Sequence, residues 1–182
     1  MSGPTVYILL FRGVGGATQL PTARLREKLA EAGFENAGTY INSGNAYLKT
    51  DMPRGKMLKI VAEICKSEFG FDKPILALSL AEWRKLIRNN PFPEGEKEGK
   101  TLHAFALENA PTGDRLAKLE ELAVGRERLK LIGKVLYLHL PDGFGTSKLA
   151  TRADKVIGVT ATARNWNTVL KLCELAKAAA RA

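Results

Sequence analysis

The stretch Gly38-Thr-Tyr-Ile-Asn-Ser-Gly-Asn-Ala-Tyr-Leu-Lys49 decides the fold, because it predicts two strands joined by a tight turn. Gly44 tolerates a positive φ, and the Asn and Ser side chains around it can bond the turn backbone. An amphipathic helix is predicted on each side of this hairpin. Leu25 and Leu29 mark the buried stripe of the helix before it, and Met57 and Val61 mark that of the helix after it.

A strand is predicted at each outer end of this pattern. Val6–Phe11 is apolar at both parities, which indicates a central strand covered on both faces, and Pro74–Leu78 is the fourth strand. The order is therefore β-α-β-β-α-β, the ferredoxin-like arrangement. The sequence predicts an α/β fold of the α+β plait type.

The remainder of the chain repeats part of this order. It opens with the capping box Ser79-Leu-Ala-Glu82, after which Phe92–Lys100 is predicted to be a flexible surface loop. The predicted strands and helices that follow are Leu102–Leu107, Thr112–Ala123, Arg126–Ile132, Val135–Leu140, Ser147–Ile157 and a last helix from about Arg164 to Ala180. We therefore predict two tandem ferredoxin-like domains, residues 1–79 and 80–182, the second with added helices.

The net charge of +9 is placed unevenly. Residues 145–182 carry seven basic groups and two acidic groups, so that this segment alone has a net charge of +5. A local basic field favours anionic partners such as nucleic acid or phosphorylated small molecules. The alternative is that the Lys and Arg side chains only solvate helix surfaces, and the sequence leaves both interpretations open.

The two cysteines, Cys65 and Cys173, lie far apart within apolar helical patterns and are predicted to be small core residues. The longest apolar run, Val6–Phe11, is too short to span a membrane. We expect a cytoplasmic protein with no membrane partner, no bound metal and no cofactor. Its two histidines, His103 and His139, each lie in a predicted strand and have no second ligand at metal spacing.

Two glycine-rich loops are candidate ligand sites. Gly13-Val-Gly15-Gly16 follows a strand and precedes a helix, but it lacks the third glycine of the dinucleotide fingerprint, which favours a conformational hinge over a nucleotide cradle. Asp142-Gly-Phe-Gly-Thr-Ser-Lys148 also follows a strand and opens a helix. Its glycines, its hydroxyls and a lysine at a helix N-terminus suit an anion, whereas the alternative is a tight turn with Ser147 as an ordinary cap.

The third candidate is Thr160-Ala-Thr-Ala-Arg-Asn-Trp-Asn-Thr168. Thr162 is predicted to cap the last helix, on which Arg164, Asn167 and Thr168 share a polar face and Trp166 lies on the apolar one. An arginine near a helix N-terminus opposes the helix dipole, which indicates a specific partner, either an internal carboxylate or an external phosphate.

Aromatic residues on the two central strands raise a further alternative. Tyr7 and Tyr47 resemble the base-stacking platform of RNA-recognition domains, because the first and third strands are adjacent in this fold. The surrounding residues Gly-Asn-Ala-Tyr-Leu-Lys do not match the basic third-strand motif of those domains. Packing against the second half of the chain is the preferred interpretation of that face.

Four motifs together resemble the bacterial domain-of-unknown-function family 1697. They are Arg12-Gly13-Val-Gly-Gly16, Thr39-Tyr-Ile-Asn-Ser-Gly-Asn45, Asp142-Gly-Phe-Gly-Thr-Ser-Lys-Leu149 and Thr162-Ala-Arg-Asn-Trp-Asn-Thr168, and the resemblance runs from about Thr5 to Leu175. It implies a pair of ferredoxin-like units and no established reaction. One departure is the first loop, which reads Arg-Gly-Ile-Asn-Val-Gly-Gly in the family and is shorter here. If that loop binds a ligand in relatives, the site is altered in this chain.

The leading functional hypothesis is a non-enzymatic module that binds a phosphate-containing ligand, with nucleic acid as one such partner. An enzyme acting on a phosphorylated or nucleotide-like substrate is the second hypothesis, with Arg12, Lys148 and Arg164 stabilising charge but no evident base or nucleophile. A self-assembling protein that uses its tyrosines at the contact is the third. The predicted ligand contacts are Arg12, Gly13, Gly15, Gly16, Ser43, Asn45, Gly145, Thr146, Ser147, Lys148, Arg164, Asn165, Asn167 and Thr168.

Overall fold

The computed structural model describes residues 3–42 and 44–182, so that Ser43, one of the predicted ligand contacts, lies outside the described residues. The first six elements alternate as the sequence predicts. They are β1 (Thr5–Phe11), α1 (Thr22–Glu31), β2 (Glu35–Thr39), β3 (Asn45–Thr50), α2 (Arg54–Phe69) and β4 (Ile75–Ser79).

The first four strands form an antiparallel sheet in the order β2-β3-β1-β4. Tyr7, Leu9 and Phe11 of β1 lie in one core cluster with the buried stripes of α1 and α2, which include Leu29 and Val61. This topology confirms the ferredoxin-like prediction for the first half. It brings the turn before β3 and the loop after β1 to the same end of the sheet, where the Phe11 N–H donates to the Gly44 carbonyl at 2.9 Å.

A second sheet with the same topology follows. Its elements are β5 (Leu102–Leu107), α4 (Arg115–Glu120), β6 (Arg128–Ile132), β7 (Val135–His139), α5 (Lys148–Ile157) and β8 (Ala161–Asn165). The strand order is β6-β7-β5-β8, again antiparallel, so the tandem ferredoxin-like prediction is confirmed. Phe105 and Leu107 of β5 pack in one core cluster with Leu119 of α4 and Leu149 of α5.

The fourth strand of this sheet corrects a prediction about the last helix. Residues Ala161–Asn165 form β8, and α6 begins only at Trp166 and runs to Arg181. Thr162 therefore does not cap the helix. The cap is Asn165, whose Oδ1 accepts a hydrogen bond from the Thr168 N–H at 3.0 Å. The prediction failed because β8 is held by pairing with β5, which the local sequence does not reveal.

The capping box at the end of β4 is confirmed. The Ser79 N–H donates to Glu82 Oε2 at 2.7 Å, and the Glu82 N–H donates to Ser79 Oγ at 3.2 Å, at the start of α3 (Leu80–Arg88). Glu82 also pairs with Arg54 at 2.7 Å. Burial alone raises the pKa of Glu82, but the Ser79 N–H and the Arg54 guanidinium together bring that pKa below its ordinary value.

Removing the Ser79 hydroxyl should weaken this helix start. We expect Ser79→Ala to lower the free energy of unfolding by about 1 kcal/mol, because the Glu82 N–H loses its acceptor. Urea denaturation followed by circular dichroism measures the change. Ser67→Ala is the matched control, since the Ser67 hydroxyl donates only to a carbonyl of its own helix, that of Glu63. Equal losses in the two variants would contradict a capping role.

The segment Phe92–Lys100 is not the flexible loop that the sequence predicts. Pro93–Thr101 forms 3-10 helical turns with non-helical geometry at Glu98, and Gly95 and Gly99 within it are buried. Both glycines admit a neighbouring side chain. A Cβ at Gly95 would lie 2.9 Å from His139 Cδ2. The glycines that indicated a loop in the sequence therefore serve close packing.

The chain divides into two compact units. One runs to Lys85 and also includes Lys171–Ala182, and the other is Leu86–Leu170. Within the first, Asn36 Nδ2 donates to the Ala179 carbonyl at 2.9 Å, which ties the end of α6 to β2. The predicted boundary between domains 1–79 and 80–182 stays a prediction.

Candidate anion-binding site

The predicted ligand contacts fall into two groups, one in each unit. The first group consists of Arg12, Gly13, Gly15, Gly16 and Asn45. The second consists of Gly145, Thr146, Ser147, Lys148, Arg164, Asn165, Asn167 and Thr168. Each group is described on its own below.

The glycine loop of the first unit is closed by its own backbone. Gly15 and Thr18 exchange two backbone hydrogen bonds, at 2.7 and 3.0 Å, so this part of the loop is a small hairpin. Lys73 Nζ donates to the Gly13 carbonyl at 3.0 Å and to Thr18 Oγ1 at 3.2 Å. A phosphate cradle needs N–H groups that converge on the ligand, whereas this loop turns carbonyl oxygen towards a cation. These contacts favour a conformational role, and ligand binding at Gly13–Gly16 stays a prediction.

Asn45 is buried at the turn that leads into β3. Its Nδ2 donates to the Tyr40 carbonyl at 3.1 Å, and the Tyr40 N–H donates to the Asn45 carbonyl at the same distance. Arg12 directly follows β1, and its backbone N–H donates to the carbonyl of Pro74, the residue before β4, at 3.1 Å. The Asn45 amide therefore supports the turn from within.

The second glycine loop presents its polar groups differently. After β7, Arg126 pairs with Asp142 at 2.6 Å on the surface, and Thr146 Oγ1 donates to the Asp142 carbonyl at 3.4 Å. Ser147 caps α5, because its buried Oγ accepts from the Ala150 N–H at 3.1 Å. The predicted cap is thus confirmed. A Cβ on Gly145 would meet no atom within 4 Å, so open space adjoins the loop there.

The start of α5 is electrically positive. A helix leaves its first N–H groups without partners inside the helix, and here the serine hydroxyl satisfies one of them. No acidic residue lies in the first turn, and the first residue of the helix is the exposed Lys148. A cation at this end opposes the helix dipole, so the helix start and Lys148 add to one positive field. An anion placed there would be attracted by both.

Two rings that are not among the predicted ligand contacts pack together at this loop, those of Phe144 and His103. The Phe144 ring lies 4.7 Å from the ring of His103 and 6.4 Å from that of Phe105, measured between centroids. His103 is only 8% exposed, and among the described residues its Nδ1 has no hydrogen-bond partner. Burial lowers the pKa of His103 to about 4, so the ring is neutral at neutral pH. In the sequence, the one feature that points to this contact is a phenylalanine between two glycines, just before a helix start.

Arg164 does not join the second glycine loop, residues 142–148, to which we refer as the α5 loop. Ala161 and Ala163 of β8 pack with the Phe105 cluster, so the intervening Thr162 and the following Arg164 face the other side of the sheet. Arg164 Nη1 donates to the Ala163 carbonyl at 2.7 Å, and burial lowers the pKa of this guanidinium to about 10. The structure therefore separates Arg164 from Lys148 by the thickness of the sheet.

The other three residues of the predicted third candidate lie around the start of α6. Asn165 faces the His103 side of the sheet, since the two residues are directly paired across β5 and β8. Asn167 is exposed and lies against Gly99, where a Cβ would come within 2.2 Å of Asn167 Oδ1. Thr168 is buried, so its predicted place on a polar face is wrong. Of the three, Asn165 is the one that lies beside His103 in the sheet.

The tyrosine platform is also wrong. β1 and β3 pair Tyr7 with Leu48 and Ile8 with Tyr47. Directly paired residues share a face and successive residues alternate, so the two tyrosines lie on opposite faces of the sheet. Tyr7 is buried towards the helices, with the Arg54 guanidinium 5.5 Å from its ring centroid. Two bases cannot stack side by side on this pair.

The described part of the chain holds neither a cluster of metal ligands nor a membrane-spanning helix. In residues 3–42 and 44–182, no three His, Cys, Asp or Glu side chains are grouped as metal ligands. Over the same residues, no helix combines the length and apolar character needed to cross a membrane. Cys65 and Cys173 are buried and unbridged, as predicted.

Comparison with known proteins agrees with the fold. The two sheets and their connections define a tandem ferredoxin-like protein. The family model "Protein of unknown function (DUF1697)" matches residues 5–137, and the chain belongs to this family. The match ends before the two motifs at residues 142–149 and 162–168. No curated protein matches the chain.

A solved structure supports the same architecture over almost the whole chain. The conserved bacterial protein SP0830 from Streptococcus pneumoniae superposes with a TM-score of 0.70 at 22% identity, covering 96% of this chain and 99% of that one. At this identity the likeness bears on the fold alone.

Proposed function

We propose that the second unit binds a phosphate-containing anion at the α5 loop. The observation that carries the proposal is the exposed Lys148 at the positive end of α5, beside Thr146 and a glycine with open space around it. Phosphate groups bind at helix N-termini because the first N–H groups and the dipole both attract negative charge. The excess of basic residues within 145–170 of the same unit supports this proposal, since it raises the local concentration of anions; the basic residues are Lys148, Arg152, Lys155 and Arg164, against the single acid Asp154.

The α5 loop is suited to binding an anion, not to catalysis. The groups that the α5 loop offers to a ligand are the first backbone N–H groups of the helix and the Lys148 ammonium, both of which hold an oxyanion in place. His103, the one titratable ring close to the loop, is covered by Phe144. We therefore propose a binding module, and single-stranded nucleic acid is a suitable first probe because it presents repeated phosphates.

Lys148→Ala should weaken binding of a fluorescent single-stranded oligonucleotide without unfolding the protein. We expect a loss of about 3- to 10-fold in affinity at low salt, and a slope of log affinity against log salt that is smaller by about 0.7, the value for one phosphate contact on a single strand. Fluorescence anisotropy at several salt concentrations measures both quantities.

Arg152→Ala is the matched control for this experiment. Arg152 is exposed on the same helix and carries the same charge, but it lies one turn beyond the N-terminus. Its removal should leave affinity within about 2-fold, since Arg152 lies beyond the first turn and does not border the N–H groups that hold the anion. Equal losses of affinity in the two variants would mean that net charge alone accounts for the binding, and the proposed site would be wrong. Thermal unfolding should show Lys148→Ala at least as stable as the parent, because a cation at a helix N-terminus is unfavourable.

A further inference from the structure

Phe144 occupies a position that a ligand ring could take. It is flanked by Gly143, whose φ is +104°, and by Gly145, so the backbone on either side has unusual freedom to change conformation. Its ring lies nearly parallel to that of Phe105, at an interplanar angle of 15°, and tilted by 48° to that of His103. Phe144 therefore has two aromatic neighbours, the rings of Phe105 and His103, to which we refer together as the aromatic floor.

The aromatic floor contains an unsatisfied polar atom. His103 Nδ1 is buried without a partner among the described residues, and leaving such a group unpaired costs about 1–3 kcal/mol. Asn165 pairs with His103 between strands β8 and β5, and its Oδ1 already accepts a hydrogen bond from the Thr168 N–H. In the neutral ring Nδ1 is a donor or an acceptor according to the tautomer, so a heterocycle that carries both kinds of group can bond to it in either case. Phe144 cannot, because its ring has no hydrogen-bonding atom.

The aromatic floor and the start of α5 belong to one turn of chain. The Ser147 N–H donates to the Phe144 carbonyl at 3.2 Å, and Ser147 is the cap of α5. A ligand with a planar heterocycle at one end and a phosphate at the other would place the first over His103 and the second beside Lys148. A nucleotide has this composition.

We propose that the α5 loop binds a nucleoside monophosphate, whose base replaces Phe144 on the aromatic floor and whose phosphate lies at the N-terminus of α5. This inference rests on the proposed function and specifies its ligand class. Phe144 acts as a cover that fills the floor in the free protein. The base gains stacking on Phe105 and a hydrogen bond with His103, and stacking of a base on an aromatic side chain contributes about 1–3 kcal/mol.

Calorimetric titration with adenosine 5′-monophosphate and with ribose 5-phosphate tests the inference. Ribose 5-phosphate carries the same phosphate and sugar without the base. We expect the nucleotide to bind at least about 5-fold more tightly to the parent protein, from the low end of the stacking contribution. In His103→Phe, which keeps a ring but removes both nitrogens, the nucleotide should bind about 2- to 10-fold more weakly than to the parent, because the hydrogen bond is lost and the stacking is kept, while ribose 5-phosphate is unaffected.

Phe144→Ala gives an effect of the opposite sign. Removing the cover abolishes the cost of displacing it, so the nucleotide should bind more tightly than to the parent, whereas ribose 5-phosphate should not. A second measurement holds even if this variant is unstable. In the parent protein, the ring resonances of His103 in NMR spectra should shift on addition of the nucleotide and stay in place with ribose 5-phosphate.

The outcomes separate this inference from the proposed function. Equal affinities for the two ligands, with Lys148→Ala weakening both, would overturn the nucleotide and leave the anion site standing. No binding of either ligand, with His103 resonances unmoved, would overturn both. A nucleotide that also binds as the 5′-phosphorylated end of a trinucleotide would identify a nucleic-acid end as the source, and failure of the trinucleotide to bind would identify the free nucleotide.

Discussion

Gly44→Ala should lower the free energy of unfolding by about 3 kcal/mol or more. Two costs add at this position. Gly44 has φ of +80°, a region in which an L-residue costs about 1–3 kcal/mol. A Cβ there would also lie 2.7 Å from the Phe11 carbonyl oxygen and 3.0 Å from Val14 Cγ2, and overpacking of this kind costs typically another 1–3 kcal/mol. The backbone cannot easily yield, because the Phe11 N–H is bonded to the Gly44 carbonyl.

Gly16→Ala separates the two costs. Gly16 also has a positive φ, of +56°, but a Cβ there would meet no atom within 4 Å. We expect this variant to lose only about 1 kcal/mol, the cost of an alanine in the left-handed region. Urea denaturation of both variants at neutral pH measures the difference. Losses of equal size would mean that the contact with Phe11 yields, and the close approach of hairpin and strand would be wrong.

The elements of the first unit can be predicted from sequence because their signals are local. Its hairpin carries a local signal, and the strand Val6–Phe11 is apolar on both faces, as a central strand of a covered sheet must be. The helix stripes at Leu25 and Met57 follow the helical period. These signals depend on near neighbours in the chain, so a single sequence carries them in full.

The features that were missed depend on distant neighbours. β8 is a run of small and polar residues whose strand conformation comes from pairing with β5, about 58 residues earlier (Thr162 with Ala106, Arg164 with Ala104). The amphipathic helix directly after it made the whole segment look helical. Gly95 and Gly99 look like loop residues in sequence, yet their missing side chains make room for His139 and Asn167. Composition alone cannot distinguish the two uses of glycine.

The candidate site divides in the same way. The cap Ser147 and the position of Lys148 at a helix start are predictable from sequence, because both are local features, whereas the binding of a ligand there stays a prediction. His103 was passed over as an ordinary strand residue, since its contact with Phe144 joins positions 41 apart in the chain (144 − 103). Arg164 was included because it was assigned to a helix. Arg164 is a strand residue that faces away from the loop, so its charge does not lie within the first turn of α6.

The buried histidine makes stability depend on pH in a direction that can be worked out. Burial lowers the pKa of His103 from 6.5 to about 4 in the folded protein, so between these values the unfolded chain binds the proton more readily. The free energy of unfolding must then fall as the pH falls from 6.5 towards 4, with its full value present above 6.5. The difference of roughly two and a half pKa units corresponds to about 3 kcal/mol.

His103→Phe should remove this contribution and keep a ring beneath Phe144. We expect the parent protein to lose about 3 kcal/mol more than the variant between pH 7 and pH 4, measured by urea denaturation at each pH. His139 and the carboxylates titrate in both proteins and cancel in the difference. At pH 7 the variant should equal or exceed the parent in stability, because it no longer buries an unpaired nitrogen. Parallel pH profiles would mean that His103 reaches solvent as readily in the folded protein as in the unfolded one, and Phe144 would then not be its cover.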